Sequence, residues 1–270
     1  MSLGRQTRQL TAEQEPFLVA RSLDTSYGDG YVLPPHRHGW HQLLYASSGA
    51  MTVFAGQMSW MIPPGRAVFI PAGETHSIRM WGMVAMRSLY FPADFAVAAL
   101  KINECRVISV TPLLRELVLK VVELSALDSR IVAEVHLMMV LMSEISAAPI
   151  EPLALRLPVD TRALAAANRV LKDPAGVANL NELARQCGMS PRTLERLFRA
   201  ETGMRFSMWR QKARLLESVR LLVEGGSVTN AALDSGYSSV SAYISAFKQT
   251  FGYTPGALLA DRDPIFTDSG

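Results

Sequence analysis

The sequence has few cysteines, few charges and no long apolar run. Its two cysteines, Cys105 and Cys187, make no disulfide framework in 270 residues, which is typical of a reducing compartment. The most apolar stretch, 131–142, contains Glu134 and His136 and is shorter than the roughly 20 residues that a membrane-spanning helix needs. The first 16 residues lack the apolar core of a signal peptide. We therefore expect a cytoplasmic protein with no membrane contact.

Apolar residues are plentiful, and the basic residues are concentrated in one part of the chain. With 49% apolar and 19% charged residues the chain can build a sizeable core, which excludes a largely disordered protein, and its length suits two domains. Residues 161–260 contain 13 basic and 7 acidic side chains, whereas residues 1–160 contain 13 and 14. A positive field confined to one segment indicates a nucleic-acid-binding domain.

The pattern of turns and apolar residues changes from β to helical near Thr111. Before it, short β-type runs at 40–46, 51–55, 67–70 and 76–81 are separated by Gly, Pro and Ser, which predicts a barrel or sandwich. After it, two helices are predicted up to Ser146, the first capped by Thr111 and the second by Asp128. Three prolines then mark a linker at 149–159.

An internal repeat follows the linker. The pattern A-x-x-x-G occurs at 184–188 and again at 232–236, and each copy is followed by F-x-x-x-x-G. In each copy a short helix ends at a glycine that can adopt the left-handed conformation, and a second helix begins about three residues later. This is a helix-turn-helix made twice. One helix predicted over 206–224 joins the two copies.

The second helix of each copy is the candidate DNA-reading element. Ser190 can cap the first such helix, whose polar face is rich in arginine, a side chain that contacts guanine edges or phosphates. The second such helix presents shorter side chains, which favours phosphate and shape contacts. The candidate DNA-binding residues are Arg192, Glu195, Arg196, Arg199, Ser241, Ser245 and Lys248.

Residues 160–260, and above all GYSSVSAYISAFKQTFGYTP, resemble the DNA-binding domain of the AraC/XylS family of bacterial transcription regulators. The resemblance implies that both helix-turn-helix units face adjacent major grooves of promoter DNA. Its base-contacting positions fall on Arg192, Glu195 and Arg196 in the first reading helix. In the second reading helix they fall on Val240, Ser241, Ile244 and Ser245. Ser245 is shorter than the side chain that the family often has there.

The N-terminal domain resembles a cupin. The residues that fit the two cupin motifs are Gly30, His36, His38, Gln42, Gly49, Gly65, Pro71, Gly73, His76 and Met80. Gln42 replaces the usual acid and Met80 the usual asparagine. The resemblance implies a divalent metal on His36, His38 and His76, and three imidazoles suit Zn, Ni, Fe or Cu. Gln42 would add a carbonyl oxygen as a ligand or would only hydrogen-bond to one of the metal ligands.

The alternative to a metal is a histidine cluster that binds water or an organic effector. Residues 36, 38 and 42 have the same parity, so in an extended strand they point to one side, whereas His41 is expected to point outward. His136 is expected to be a partly buried structural residue. Aromatic residues such as Trp40, Tyr45 and Phe69 are read as core rather than as an effector pocket.

The predicted architecture is an N-terminal cupin β-barrel, a helical dimerisation segment and an all-α domain of two helix-turn-helix units. The predicted boundaries are a flexible N-terminus at 1–16, the cupin at 17–98, the helical segment at 99–148, the linker at 149–159, the DNA-binding domain at 160–260 and a tail at 261–270.

The predicted function is a homodimeric transcription regulator controlled by a small-molecule effector or metal, with RNA polymerase as a further partner. The N-terminal motif also resembles regulators of drug-efflux and transport genes. No catalytic residue is assigned, because the metal motif contains no acid that could serve as a general acid or base. Two alternatives remain at this point: a cupin oxygenase or isomerase with a DNA-binding appendage, and a DNA-bending protein.

Overall fold

A computed structural model describes residues 15–94, 102–176 and 179–260. These divide into two compact units, one containing 15–55 and 62–151 and the other containing 56–61 and 152–260. Residues 1–14 of the predicted N-terminal arm and the whole predicted tail lie outside the described residues. In the part of the chain that is described, no helix combines the length and apolarity needed to cross a bilayer.

The strands, in chain order, are β1 (Leu18–Tyr27), β2 (Val32–His36), β3 (Trp40–Ala55), β4 (Met58–Ile62), β5 (Arg66–Ile70), β6 (His76–Pro92), β7 (Arg106–Ser109), β8 (Ala126–Asp128) and β9 (Ala154–Arg156). The helices are α1 (Pro112–Leu124), α2 (Val132–Ala147), α3 (Thr161–Lys172), α4 (Leu180–Gln186), α5 (Pro191–Thr202), α6 (Phe206–Val223), α7 (Val228–Asp234), α8 (Val240–Phe251) and α9 (Pro255–Ala260).

The first unit is built on an antiparallel sheet with strand order β7-β5-β3-β6-β1-β8, in which β2 also pairs with β6. The runs predicted at 40–46 and 51–55 are one continuous strand, β3, which bulges near Ser48. Gly49 follows with a φ of 68°, and a Cβ on it would come within 2.6 Å of the Met83 carbonyl oxygen. The cupin-motif glycine is therefore required both by its backbone conformation and by close packing.

Strand β2 differs from the rest of the sheet because its residues are mostly exposed. Its sequence, VLPPH, contains Pro34 and Pro35, and it pairs with β6 in a register that shifts between Leu33 and His36. Proline lacks a backbone N–H, so it is tolerated in a strand at an edge or a bulge. The strand nevertheless ends with His36 directly opposite His76 of β6.

Helices α1 and α2 pack against the sheet of their own unit. Leu114 and Val118 of α1 and Met138 and Leu141 of α2 share one core with sheet residues such as Phe69. Thr111 caps α1 as predicted, accepting a hydrogen bond from Leu114 N at 3.1 Å.

The predicted cap of α2 is wrong. The helix begins at Val132 after Ile131, which gives no side-chain cap. Asp128 instead ends the short strand β8, and its carboxylate binds Arg130 through both the backbone N–H and the guanidinium group. The spacing of apolar residues does not predict β8 just before α2, because a strand of three residues is too short to show an alternating pattern.

The second unit contains α3 to α9 together with β9 and residues 58–61 of β4, which pair antiparallel with each other. The segment predicted as a plain proline-rich linker therefore includes a strand, in which Leu155 lies opposite Ser59. Trp209 of α6 is fully buried, and its indole N–H donates to the Arg156 carbonyl oxygen at 2.6 Å. The linker backbone is thus held by a ladder and by a helix rather than left free.

Candidate metal centre and nucleic-acid interface

The first helix-turn-helix has the local structure that the sequence predicts. Helix α4 ends at Gln186, and Gly188 turns the chain with a φ of 67°. Ser190 then caps α5, accepting a hydrogen bond from Thr193 N at 3.1 Å, with Pro191 at the first helical position. A residue with a Cβ is disfavoured at this positive φ, which explains the glycine.

The arginines of α5 form one exposed face. Arg192, Arg196 and Arg199 are all solvent-exposed, and within the described residues none of their guanidinium groups has a hydrogen-bond or ion-pair partner. The spacing of four and three residues places them on one side of the helix. These three side chains are therefore available to phosphates and base edges. Glu195, by contrast, is half-buried, and its carboxylate accepts from Phe206 N at 3.3 Å.

The second helix-turn-helix repeats the arrangement with smaller side chains. Gly236 has a φ of 77°, and Ser239 caps α8 by accepting from Ala242 N at 3.2 Å. The predicted contact residues Ser241, Ser245 and Lys248 are exposed on α8. The face of α8 is therefore accessible but carries a single cation among these three predicted residues, consistent with phosphate contacts.

Sequence reasoning missed Arg214 of α6, which stabilises the turn of the second helix-turn-helix at Gly236. Its guanidinium group donates to the carbonyl oxygens of Ser235 and Gly236 and lies 4.8 Å from the ring centroid of Tyr237. These carbonyls follow α7, whose last turn contains no basic residue of its own. A cation at a helix C-terminus satisfies unpaired carbonyls and complements the helix dipole. Nothing in the local spacing of Arg214 signals this contact.

In the first unit the three predicted metal ligands come together. His36 ends β2, His76 begins β6, and His38 lies in the turn between β2 and β3. One ring nitrogen from each histidine lies within 4.8 Å of those of the other two. The ring centroids of His36 and His76 are 4.3 Å apart, and those of His38 and His76 are 5.3 Å apart. The pairing of β2 with β6 is what brings the two motifs to one place.

Backbone carbonyls fix the tautomer of all three rings. Nδ1 of His36 lies 2.8 Å from the Pro34 oxygen, Nδ1 of His38 lies 2.7 Å from the Trp40 oxygen, and Nδ1 of His76 lies 3.0 Å from the Glu74 oxygen. A carbonyl oxygen can only accept, so each Nδ1 carries the proton and each Nε2 of a neutral ring presents a lone pair. Metal-binding histidines are typically oriented in this way.

His76 is the most informative of the three predicted ligands. It is fully buried, and its Nε2 has no hydrogen-bond partner in the described structure. Burial, with smaller contributions from His36 and His38, lowers the pKa of His76 to about 4, so the ring is neutral at pH 7. A buried acceptor without a partner is costly unless something binds it, and a metal ion fits this donor set.

Gln42 lies beside the centre, where the cupin motif has an acid. Its amide nitrogen donates to Ser88 Oγ and to the Tyr90 hydroxyl, both at 3.1 Å. Its Oε1 lies 3.2 Å from Nε2 of His38. In the tautomer given above both of these atoms offer lone pairs. A cation bound by both atoms would satisfy these lone pairs, and so would a flipped amide whose nitrogen donates to His38 Nε2 while its oxygen accepts from the two hydroxyls.

Two histidines outside the cluster differ from expectation. His41 is buried rather than outward-facing; its Nδ1 accepts from Ala72 N at 3.1 Å and its ring stacks on Phe69. The residues 41–47 of β3 are all buried, because both faces of this central strand are covered, so parity does not separate inside from outside here. His136 is exposed on α2 rather than partly buried.

Two family models match the chain. The AraC-like ligand binding domain matches residues 22–141, and a helix-turn-helix domain matches residues 183–261. A ligand-binding domain followed by helix-turn-helix units defines a DNA-binding transcription regulator.

The relatives agree with the family models. The HTH-type transcriptional regulator NimR of Escherichia coli (strain K12) is 31% identical over 232 residues, which cover 86% of this chain and 84% of NimR. RipA of Corynebacterium glutamicum is 35% identical over 99 residues, 37% of this chain and 30% of RipA. The chain belongs to the AraC family of transcription regulators.

Among solved structures, ToxT from Vibrio cholerae covers 90% of this chain and 99% of its own at 12% identity and a TM-score of 0.39.

Proposed function

We propose that the protein regulates transcription in response to a divalent transition metal bound by His36, His38 and His76. The observation that carries the proposal is the set of three Nδ1–carbonyl hydrogen bonds, which leaves an Nε2 lone pair on each neutral ring, in a cluster where one ring nitrogen of each histidine lies within 4.8 Å of the others. The unpartnered Nε2 of buried His76 supports it. Zn, Ni, Fe and Cu are the ions that neutral imidazoles favour.

We propose Gln42 as a fourth ligand or as a hydrogen-bonding neighbour of the metal. Because an amide brings no charge, the site neutralises a divalent ion less well than a site with an acid would. The affinity for the metal ion is therefore lower than that of a site with an acid, and the bound ion exchanges more easily, as suits a sensor. His36 is exposed, which leaves the centre accessible to a small-molecule effector that completes the coordination.

We propose that two copies associate through the exposed side of α2. Val132 and Met139 are 68% and 62% exposed and lie seven residues apart, and Val140 lies next to them. Apolar side chains on an exposed helix face suit pairing with the same face of a second copy across a two-fold axis. Met139→Glu is expected to convert a dimer to a monomer in sedimentation analysis, whereas Lys120→Glu on α1 leaves the dimer intact.

DNA is the partner of the second unit, and we propose that promoter DNA, in the cytoplasm, is its target. The exposed arginines of α5 and the exposed Ser241, Ser245 and Lys248 of α8 support this role. RNA polymerase is a further proposed partner, and transport or efflux genes are proposed targets. The relatives are named as regulators, and we assign no catalytic step to the histidine centre.

The decisive experiment is metal analysis of the untagged protein. We expect about one equivalent of metal per chain, lost in both His36→Ala and His76→Ala, since loss of one of three protein ligands weakens a site by orders of magnitude. His136→Ala is the matched control, because His136 is exposed and outside the cluster. Absence of metal after reconstitution with each candidate ion would refute metal binding by the three histidines. The cluster would then be interpreted as part of a site for an organic effector.

The second step links the metal to DNA. Affinity for DNA selected by the wild-type protein is measured with metal and after chelation, for the wild type and for His76→Ala. A metal-dependent change in the wild type alone supports regulation, because a ligand shifts an equilibrium only through its different affinity for the two states. A bound metal that leaves DNA affinity and transcription unchanged would make the centre structural.

A further inference from the structure

Two glutamates of α5 are bonded to the beginnings of other helices. Oε2 of Glu195 accepts a hydrogen bond from the backbone N–H of Phe206, the first residue of α6, at 3.3 Å. Oε2 of Glu201 accepts from Val159 N at 2.6 Å and from Asp160 N at 3.0 Å, immediately before α3. The first reading helix is therefore tied to both helices by its own acidic side chains.

Each tie satisfies backbone groups that the local sequence leaves unpaired. The N-cap residue of α6, Arg205, provides no side-chain hydrogen bond to the helix. The first N–H groups of a helix have no partner within it, and a carboxylate there also interacts favourably with the helix dipole. At α3 the Asp160 side chain caps the helix by accepting from Arg162 N and Ala163 N. Glu201 accepts the two N–H groups that remain just outside that cap.

The two glutamates that make these hydrogen bonds lie at different positions along the axis of α5 and on different sides of it. Six residues separate Glu195 from Glu201, which corresponds to about 9 Å along the axis and a rotation of about 240°. Relative to the face formed by Arg192, Arg196 and Arg199, Glu201 lies on the opposite side and Glu195 on the flank. Two attachments of this kind restrict both rotation of the helix about its axis and tilting of the axis.

We propose that Glu195 and Glu201 are positioning residues that set the orientation of the arginine face of α5 toward DNA, and that Glu195 reads no base. The first helix-turn-helix then presents three arginines in one fixed orientation. This assignment depends on the DNA-binding function alone and is independent of the proposed metal.

The test compares selected DNA sequences rather than affinity alone. The wild type, Glu195→Ala, Glu195→Gln, Glu201→Ala and Glu201→Gln each select duplexes from a randomised pool at 25 °C, and dissociation constants are measured on the wild-type selected duplex. Glu182→Gln is the charge control, since Glu182 is half-buried on α4, as Glu195 is on α5, and its carboxylate bonds only within its own helix, to Arg185 and Gln186.

If the two residues position α5, both alanine variants bind the selected duplex about 3- to 30-fold more weakly, the range expected for loss of a helix cap. Both glutamine variants recover most of this loss, because an amide oxygen still accepts. All variants select the same bases. Affinity for random DNA does not fall, since removing a carboxylate near DNA reduces repulsion.

A change of base preference would overturn the proposal. If Glu195 accepts a hydrogen bond from cytosine, Glu195→Ala loses preference at one position, and Glu195→Gln shifts that position toward adenine. Equal selectivity and affinity in all variants would also overturn it.

A second variant separates positioning of α5 from mere stabilisation of α6. Arg205→Ser gives α6 a capping side chain of its own. Added to Glu195→Ala, it is expected to restore thermal stability without restoring DNA affinity, when compared with Arg205→Ser alone. Recovery of both would show that Glu195 only stabilises α6.

Discussion

Replacing Arg214 by alanine is expected to loosen the second helix-turn-helix. The guanidinium group binds the carbonyl oxygens of Ser235 and Gly236 and stacks over Tyr237. Two hydrogen bonds from a charged donor and one cation–π contact, at a half-buried site, amount to about 2–4 kcal/mol of unfolding free energy. Because α7 has no basic residue in its last turn, the helix itself offers no replacement for the lost donors.

Urea denaturation followed by far-UV circular dichroism measures this loss. Arg214→Lys is expected to recover only part of it, since an ammonium group cannot contact two carbonyls with a planar fork. Arg185→Ala is the surface control, because Arg185 is 75% exposed in its ion pair with Glu182, and such pairs contribute less than about 1 kcal/mol. A loss below about 0.5 kcal/mol for Arg214→Ala would refute the reasoning.

Three further predictions concern DNA affinity, the core and acid stability. Arg196→Ala is expected to weaken specific DNA binding by about 1–3 kcal/mol in a titration, and an equal loss on random DNA would assign Arg196 to phosphate. Glu151→Ala leaves buried Arg66, 2.9 Å away, without its carboxylate, so urea denaturation is expected to show a loss of about 3–5 kcal/mol. Hydrogen bonding, chiefly from the Arg162 side chain, lowers the pKa of Asp160 from 3.8 to about 2. The stability that Asp160 contributes is therefore complete above pH 3.8 and disappears as the pH falls toward 2. Asp160→Asn, which still caps α3, is expected to remove this part of the acid loss in thermal melts, and an unchanged pH profile would contradict the assignment.

Features encoded within a few residues could be predicted from the sequence. The Gly188 turn, the Ser190 cap and the matching elements of the second copy depend on local backbone preferences, and the structure has them where the spacing predicts. The approach of His36 to His76 was also predictable, through the cupin motifs rather than through local spacing. Convergence of the rings depends on the pairing of β2 with β6.

Contacts between distant residues could not be predicted in this way. Glu195 was assigned to a base-contacting position, yet it binds Phe206, 11 residues away, and Arg214 binds carbonyls 21 and 22 residues away. Such pairs depend on how helices pack, which periodicity does not encode. His41 shows the same limit, because alternation identifies the side of a strand but not whether that side is covered.

The two prolines of β2 have a consequence for how the protein behaves at high concentration. Within the described residues β2 pairs with β6 alone, and Pro34 and Pro35 remove two backbone donors from the strand. Because the backbone N–H groups of consecutive residues point to opposite sides of a strand, one of the two prolines removes a donor from the open edge, which weakens any ladder with an incoming strand from another molecule. The first motif can thus place His36 on an exposed strand without creating a template for β-aggregation.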